Sequence, residues 1–144
     1  MKLLASILIL MYLFGCASTT TVTEASKKSD CGLEEMLAGI SCITPDLAAI
    51  AEHPLGSKGN PIKADGAYGQ REYLSRLICR DGFNIESARR SGSVGLGPYG
   101  FMIDLYLVTC KTKIGTEQLP VYMDLYHKGY REKYPAQGFI DMEL

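Results

Sequence analysis

The chain predicts an α+β domain: a small antiparallel β-meander of three to four strands, preceded by short N-terminal helices and held by disulfides. Three observations carry this. Residues 101–110 and 121–127 are rich in Tyr, Val, Ile and Leu and are joined by a polar stretch containing Gly115, which is how two antiparallel strands read. Residues 30–52 instead place apolar side chains at helical spacing behind capping residues. Cys31, Cys42, Cys79 and Cys110 lie 11, 37 and 31 residues apart. A zinc site draws its cysteines from close pairs, so these four read as two bridges in an oxidising compartment.

In chain order, Ser29 or Asp30 caps a first helix through Leu33, Met36, Leu37 and Ile40, with Glu34 and Glu35 in the first turn, where the helix dipole favours acids. Thr44, Pro45 and Asp46 open a second helix that runs to about Glu52 with Leu47, Ile50 and Ala51 inward. From His53 to Gly69, glycines at 56, 59, 66 and 69 and prolines at 54 and 61 predict a long irregular loop. Tyr73 to Cys79 fits either period. Strand is preferred, because Asp81-Gly82 is a hairpin signal and Phe83 to Ser91 alternates well enough to return.

The two later strands fix the expected core. Phe101, Ile103, Leu105 and Leu107 share one face of the first, and Val121, Met123 and Leu125 one face of the second. The opposite faces carry Asp104 and Tyr106, and Tyr122, Asp124 and Tyr126. A register with Asp104 opposite Tyr126 and Tyr106 opposite Asp124 keeps the two carboxylates from direct opposition, which would destabilise the pair. Cys79 and Cys110 each end an apolar segment, so a bridge between neighbouring strands is expected there. That leaves Cys31 with Cys42. Eleven residues of unbroken helix span ~16 Å, so this second bridge requires the first helix to end before Cys42.

The amino terminus reads as an address. Lys2 precedes an apolar run from Leu3 to Phe14, interrupted only by Ser6 and Tyr12, and then Gly15, Cys16, Ala17 and Ser18 follow. The run falls short of the ~20 apolar residues of a membrane span and suits a signal peptide. A buried core helix would show polar residues at helical spacing, which this stretch lacks. Leu13-Phe14-Gly15-Cys16 resembles the lipobox of bacterial lipoproteins. The resemblance covers residues 1–18 and implies removal of residues 1–15, a diacylglyceryl thioether on Cys16, and acylation of the new amino terminus. Acyl burial contributes ~0.8 kcal/mol per CH₂, so two or more chains anchor stably where one does not. Ala17 in place of Asp implies, on the same resemblance, the outer membrane with the domain facing the periplasm.

Residues 16–30 are rich in Ser and Thr and cannot bury enough surface to order themselves. They read as a flexible tether with a root-mean-square reach of ~20 Å. Residues 31–144 then make a single domain of ordinary size. Removing Lys2 from the 15 basic residues leaves 14 against 16 acidic ones, a mature charge of −2. Neither that balance nor export suits a nucleic-acid partner, which would demand a basic excess. Residues 53–110 resemble uncharacterised bacterial envelope proteins, a likeness that implies no activity.

Candidate chemistry is thin. Gly95-Leu96-Gly97-Pro98-Tyr99-Gly100 matches G-x-G-x-x-G, but it leads into a β-rich run instead of opening a helix, and Pro98 removes an N–H from the would-be phosphate cradle. It is expected to be a turn, and no cofactor is expected. Asp104 and Asp124, placed on one sheet face, could act as general acid and base or hold a cation beside His127. The plainer expectation is that each accepts hydrogen bonds from tyrosine or pairs with Arg76, Arg89 or Arg90. His53 and His127, far apart and without a partner at ligand spacing, make no metal signature. Tyr99, Tyr106, Tyr122 and Tyr126 are candidates for a binding surface, since tyrosine offers a large apolar body with a polar tip. The leading expectation is a non-enzymatic, lipid-anchored binding module that contacts an envelope protein or glycan, an inhibitor or immunity protein being one form. The rival is a small periplasmic hydrolase using Asp104, Asp124 and His127.

Overall fold

A computed structural model of the chain describes residues 43–142. The leader, the lipobox with Cys16, the tether, the first expected helix, and Cys31 and Cys42 lie outside the described residues. Helix α1 (Leu47–Ala51) starts where Thr44, Pro45 and Asp46 place it. The Asp46 carboxylate accepts the N–H groups of Ala48 and Ala49 at 3.1 Å each, satisfying two donors that the first turn leaves open. Only Ile50 of its expected inward residues is buried; Leu47 and Ala51 face out.

The stretch read as a long loop contains structure. Strand β1 (Ile62–Asp65) buries Ile62 and Ala64 and turns Lys63 and Asp65 outward, a period of two too short to stand out between glycines and prolines. Helix α2 (Gly66–Ser75) follows at once, and it corrects the strand expected from Tyr73. Gln70, Tyr73, Leu74 and Leu77 are all buried, at the i, i+3, i+4, i+7 spacing of one helical face carried into the next strand. The polar Gln70 conceals that face from a hydrophobic count. Strand β2 (Leu77–Cys79) is the only part of the expected strand that forms.

The turn at Asp81-Gly82 is present, with the Gly82 N–H on the Cys79 carbonyl at 2.9 Å and Gly82 at φ 82°. The chain does not return along β2, however, beyond a single bridge between Ile78 and Asn84. It runs instead into β3 (Ser87–Leu96), which pairs with β4 (Met102–Thr112), and β4 pairs in turn with β5 (Gly115–Asp124). Strand β6 (Tyr126–Arg131) follows, and β7 (Phe139–Met142) closes against β2.

The result is mainly β, not the small meander expected. A five-stranded sheet runs in the order β3-β4-β5-β1-β6, and β2-β7 forms a separate pair. The larger sheet is mixed: β1 inserts parallel to β5 and antiparallel to β6. The α2 residues Tyr73 and Leu74 share one core cluster with Ile62, Val108, Val121 and Met123 of the large sheet and with Phe139 of the small one. The Cys79–Cys110 bridge is formed, Cα to Cα 5.8 Å, as the chain pattern indicates. It joins β2 to β4 and so ties the two sheets together; the two strands are not neighbours within one sheet.

The β4–β5 register departs from expectation. Ile103 lies opposite Asp124, Asp104 opposite Met123, Leu105 opposite Tyr122 and Tyr106 opposite Val121. A two-residue connection, Lys113-Ile114, sets that pairing. On β4 the buried residues beyond Ile103 are Asp104, Tyr106, Val108 and Cys110, while Leu105 and Leu107 are half-buried. The face read as outer is therefore the one that packs against α2 and the second sheet.

Candidate functional site

Side chains alternate across a strand, so the observed register places Asp104 with Met123 on one face and Asp124 with Ile103 on the other. The two carboxylates accordingly have separate partners and do not form the acid–base pair read from the sequence. Tyr106 and Tyr122 are divided in the same way.

Asp104 is 3 % exposed and has every oxygen engaged. Its Oδ1 accepts from Arg90 Nη2 at 2.6 Å and from Ser93 Oγ at 2.9 Å, and its Oδ2 accepts from Gln70 Nε2 at 3.3 Å. The Tyr106 hydroxyl donates to Gln70 Oε1 at 3.0 Å, which extends the chain into α2. Burial by itself would raise the Asp104 carboxyl, but the hydrogen bonds from Arg90, Ser93 and Gln70 outweigh it and hold the group below the ordinary carboxylate range. A buried carboxylate satisfied in this way fixes α2 and β3 to the sheet. Arg90 is among the partners expected for it, and Tyr106, read as a binding residue, belongs to this interior network.

The second constellation gathers residues from β1, the β3–β4 connection, β5 and β6. Gly97 and Gly100 do form a turn, closed by Gly97 N–H to Phe101 O at 2.7 Å and Gly100 N–H to Gly97 O at 3.0 Å, while Gly95 lies in the end of β3. A strand follows it, so no helix N-terminus receives a phosphate. The turn delivers Tyr99 and Phe101 to the ring of His127. Tyr99 meets that ring edge-on with centroids 5.0 Å apart, Phe101 at 5.9 Å, and Tyr130 at 6.5 Å. Phe101 in turn stacks on Tyr126 at 5.2 Å with planes 24° apart. Beneath them Asp124, fully buried, takes the Tyr126 N–H on Oδ1 at 3.1 Å. Its Oδ2 lies 3.1 Å from His127 Nε2, an ion-pair distance without hydrogen-bond alignment.

Charges border this aromatic group. The Lys63 ammonium sits 4.1 Å from the Tyr130 ring centroid and 5.5 Å from that of Tyr99, within cation–π range of both. The Tyr130 hydroxyl donates to Glu132 Oε2 at 3.1 Å, and burial together with the charge on Glu132 pushes its ionisation up to about 12. Glu132 Oε1 is held by the N–H groups of Lys133 and Tyr134. Burial, then the charges of Asp124 and Glu132, also raise Tyr99.

Of the four tyrosines expected at a binding surface, Tyr99 and Tyr106 are buried, Tyr122 is half-buried, and Tyr126 is exposed. The structure adds Phe101, Tyr130 and Lys63. Lys63 could have been found from its alternation with Ile62 and Ala64; Phe101 was assigned to the core because it begins an apolar run. His53 stands apart, with its carbonyl accepting from the Asn60 side chain. Among the described residues no three His, Cys, Asp or Glu groups converge as a cation site would require. No helix among them is long and apolar enough to cross a membrane. No protein-family model, curated protein or solved structure matches the chain.

Proposed function

We propose that this chain is a lipid-anchored lipoprotein of the bacterial envelope whose domain is a non-enzymatic binding module. The anchoring half of that reading rests on the lipobox-like junction at Cys16. The binding half rests on one observation: the Phe101–Tyr126 stack, with Tyr130 beside it, presents aromatic surface that is 40 % open at Tyr126 and 37 % open at Tyr130, on a base held by Asp124 and His127. Rigid aromatic side chains with polar tips contribute large contact area at small entropic cost, and they dominate the energetics of recognition surfaces. Their partner is another envelope protein or a glycan, either of which takes flat stacking plus hydrogen bonds from phenol. The rival hydrolase loses its main support, because Asp104 and Asp124 occupy different faces with different partners.

The test is capture. The mature lipidated protein, extracted in detergent, is used to pull down envelope proteins and to co-sediment with peptidoglycan, in parallel with a Tyr126→Ala/Tyr130→Ala variant. The reading predicts one stoichiometric partner or glycan that the parent retains and the variant loses at unchanged melting temperature. Equal capture by both proteins, or none by either, contradicts it.

A further inference from the structure

The far end of the β4–β5 hairpin carries an apolar side chain that stands clear of the other described residues. Ile114, in the two-residue connection Lys113-Ile114, is 99 % exposed. Turns of this kind favour Asn, Asp and Gly, and a β-branched apolar residue gains nothing there from the fold itself. The turn after β2 holds out Phe83, 67 % exposed. The two tips form one surface: Phe83, Arg80, Asp81, Lys111, Thr112 and Lys113 line a single open depression of about 380 Å³. Three cations and one carboxylate border it. Lys111 also approaches Glu86 at 3.5 Å, an exposed contact that leaves the ammonium in water. Single exposed apolar residues are ordinary on any surface; here Phe83 lines a depression with a basic rim, and Ile114 directly follows Lys113 of that rim in sequence.

We propose that this end of the sheet docks on an anionic phospholipid surface, with Phe83 and Ile114 entering the boundary between headgroups and acyl chains while Arg80, Lys111 and Lys113 meet the phosphates. Apolar tips flanked by long cationic side chains suit that interface, since the stems lie along apolar matter and the charges stay with the headgroups. A second copy of the chain would bring the same cations face to face, which the charge pattern opposes. The site bearing Phe101 lies at the other end of β4, roughly 30 Å away at ~3.3 Å per residue, so docking would hold the aromatic face off the bilayer and open to a partner. The proposal takes from the lipoprotein reading only that such a surface is nearby.

The chain contains no tryptophan. Ile114→Trp and Phe83→Trp therefore each give a single reporter, and Leu96→Trp, at an exposed position at the opposite end of the sheet, gives the control. The full protein is reconstituted in phosphatidylcholine vesicles with or without phosphatidylglycerol, and each tryptophan is quenched with bromine-labelled acyl chains. Docking predicts blue-shifted, strongly quenched emission at 114 and 83, weak quenching at 96, and loss of the difference when phosphatidylglycerol is omitted or Lys111 and Lys113 are replaced by Glu. Equal quenching at all three positions overturns it, as does shielding at 114 that depends on protein concentration and not on bromolipid, the mark of self-association. Mass measurement of the same sample separates the two readings. An acylated, vesicle-bound Ile114→Trp chain whose emission stays unquenched overturns docking and leaves the anchor intact, whereas a chain without lipid that still shows the 114-over-96 difference supports docking without it.

Discussion

Replacing Cys79 and Cys110 together by alanine removes the covalent link between β2 and β4, and the structure sets the size of the effect. The bridge closes a loop of 31 residues. Chain-entropy theory gives a stabilisation of about 3.7 kcal/mol at 25 °C for a loop of that length, through restriction of the unfolded chain. Both cysteines are buried, so truncation to alanine also forfeits packing and adds to the loss. In a domain of this size each kcal/mol moves the midpoint by about 4–8 °C, so the double variant should melt about 15–30 °C below the parent. Circular dichroism melts in non-reducing buffer measure this, with Cys31 and Cys42 unchanged in both proteins. A midpoint within about 5 °C of the parent would refute the claim that this bridge fastens the second sheet to the first.

Four further substitutions, at three positions, probe the interior and its turns. Asp104→Ala leaves the Gln70 amide, 1 % exposed, without its acceptor and should cost about 1–3 kcal/mol in denaturant unfolding, with little added by Arg90, whose side chain is half in water. Because the folded carboxyl titrates below its unfolded value, its contribution is complete above the ordinary Asp value of about 3.9 and is lost as pH falls through the lower folded value. The parent should therefore lose stability on acidification below about pH 4 more steeply than Asp104→Asn does, and identical slopes would contradict the assignment. Gly56→Ala meets both a φ of 84° and the Ala136 methyl 2.6 Å from the new Cβ, whereas Gly82→Ala meets a φ of 82° and open space. The first should be the more costly by about 1–3 kcal/mol of overpacking, and equal melting temperatures would show that the Gly56 approach to Ala136 is looser than described.

The signals that could be read from the chain were local ones. The pairing of β4 with β5 follows from two runs of β-forming residues around a glycine, and the Cys79–Cys110 bridge from cysteines that end apolar segments. The faces of β4 were misassigned because alternation assumes one dry and one wet side. At Ile103 and Asp104 the sheet is covered on both sides, and the polar member is satisfied by Arg90, Ser93 and Gln70, which lie 11 to 34 residues away in sequence. The register failed for a related reason: the strands run on to Thr112 and from Gly115, through Lys, Thr and Gln residues that do not read as strand, so the two-residue turn that fixes the pairing was hidden. Strand β1 and helix α2 were concealed by short length and by a buried glutamine. The aromatic site suffered most, because Tyr126, His127 and Tyr130 of β6 meet Phe101 from the β3–β4 connection and Lys63 from β1, and Lys63 arrives only through the insertion of β1 beside β6.

Lipid attachment at Cys16 organises the proposed role, and mass spectrometry of the protein purified from its own cells tests it most directly. The account predicts a chain that begins at Cys16 and carries a diacylglyceryl thioether on that sulfur with an acylated amino group. A chain that keeps residues 1–15, or one that begins elsewhere with a free thiol at position 16, would contradict it.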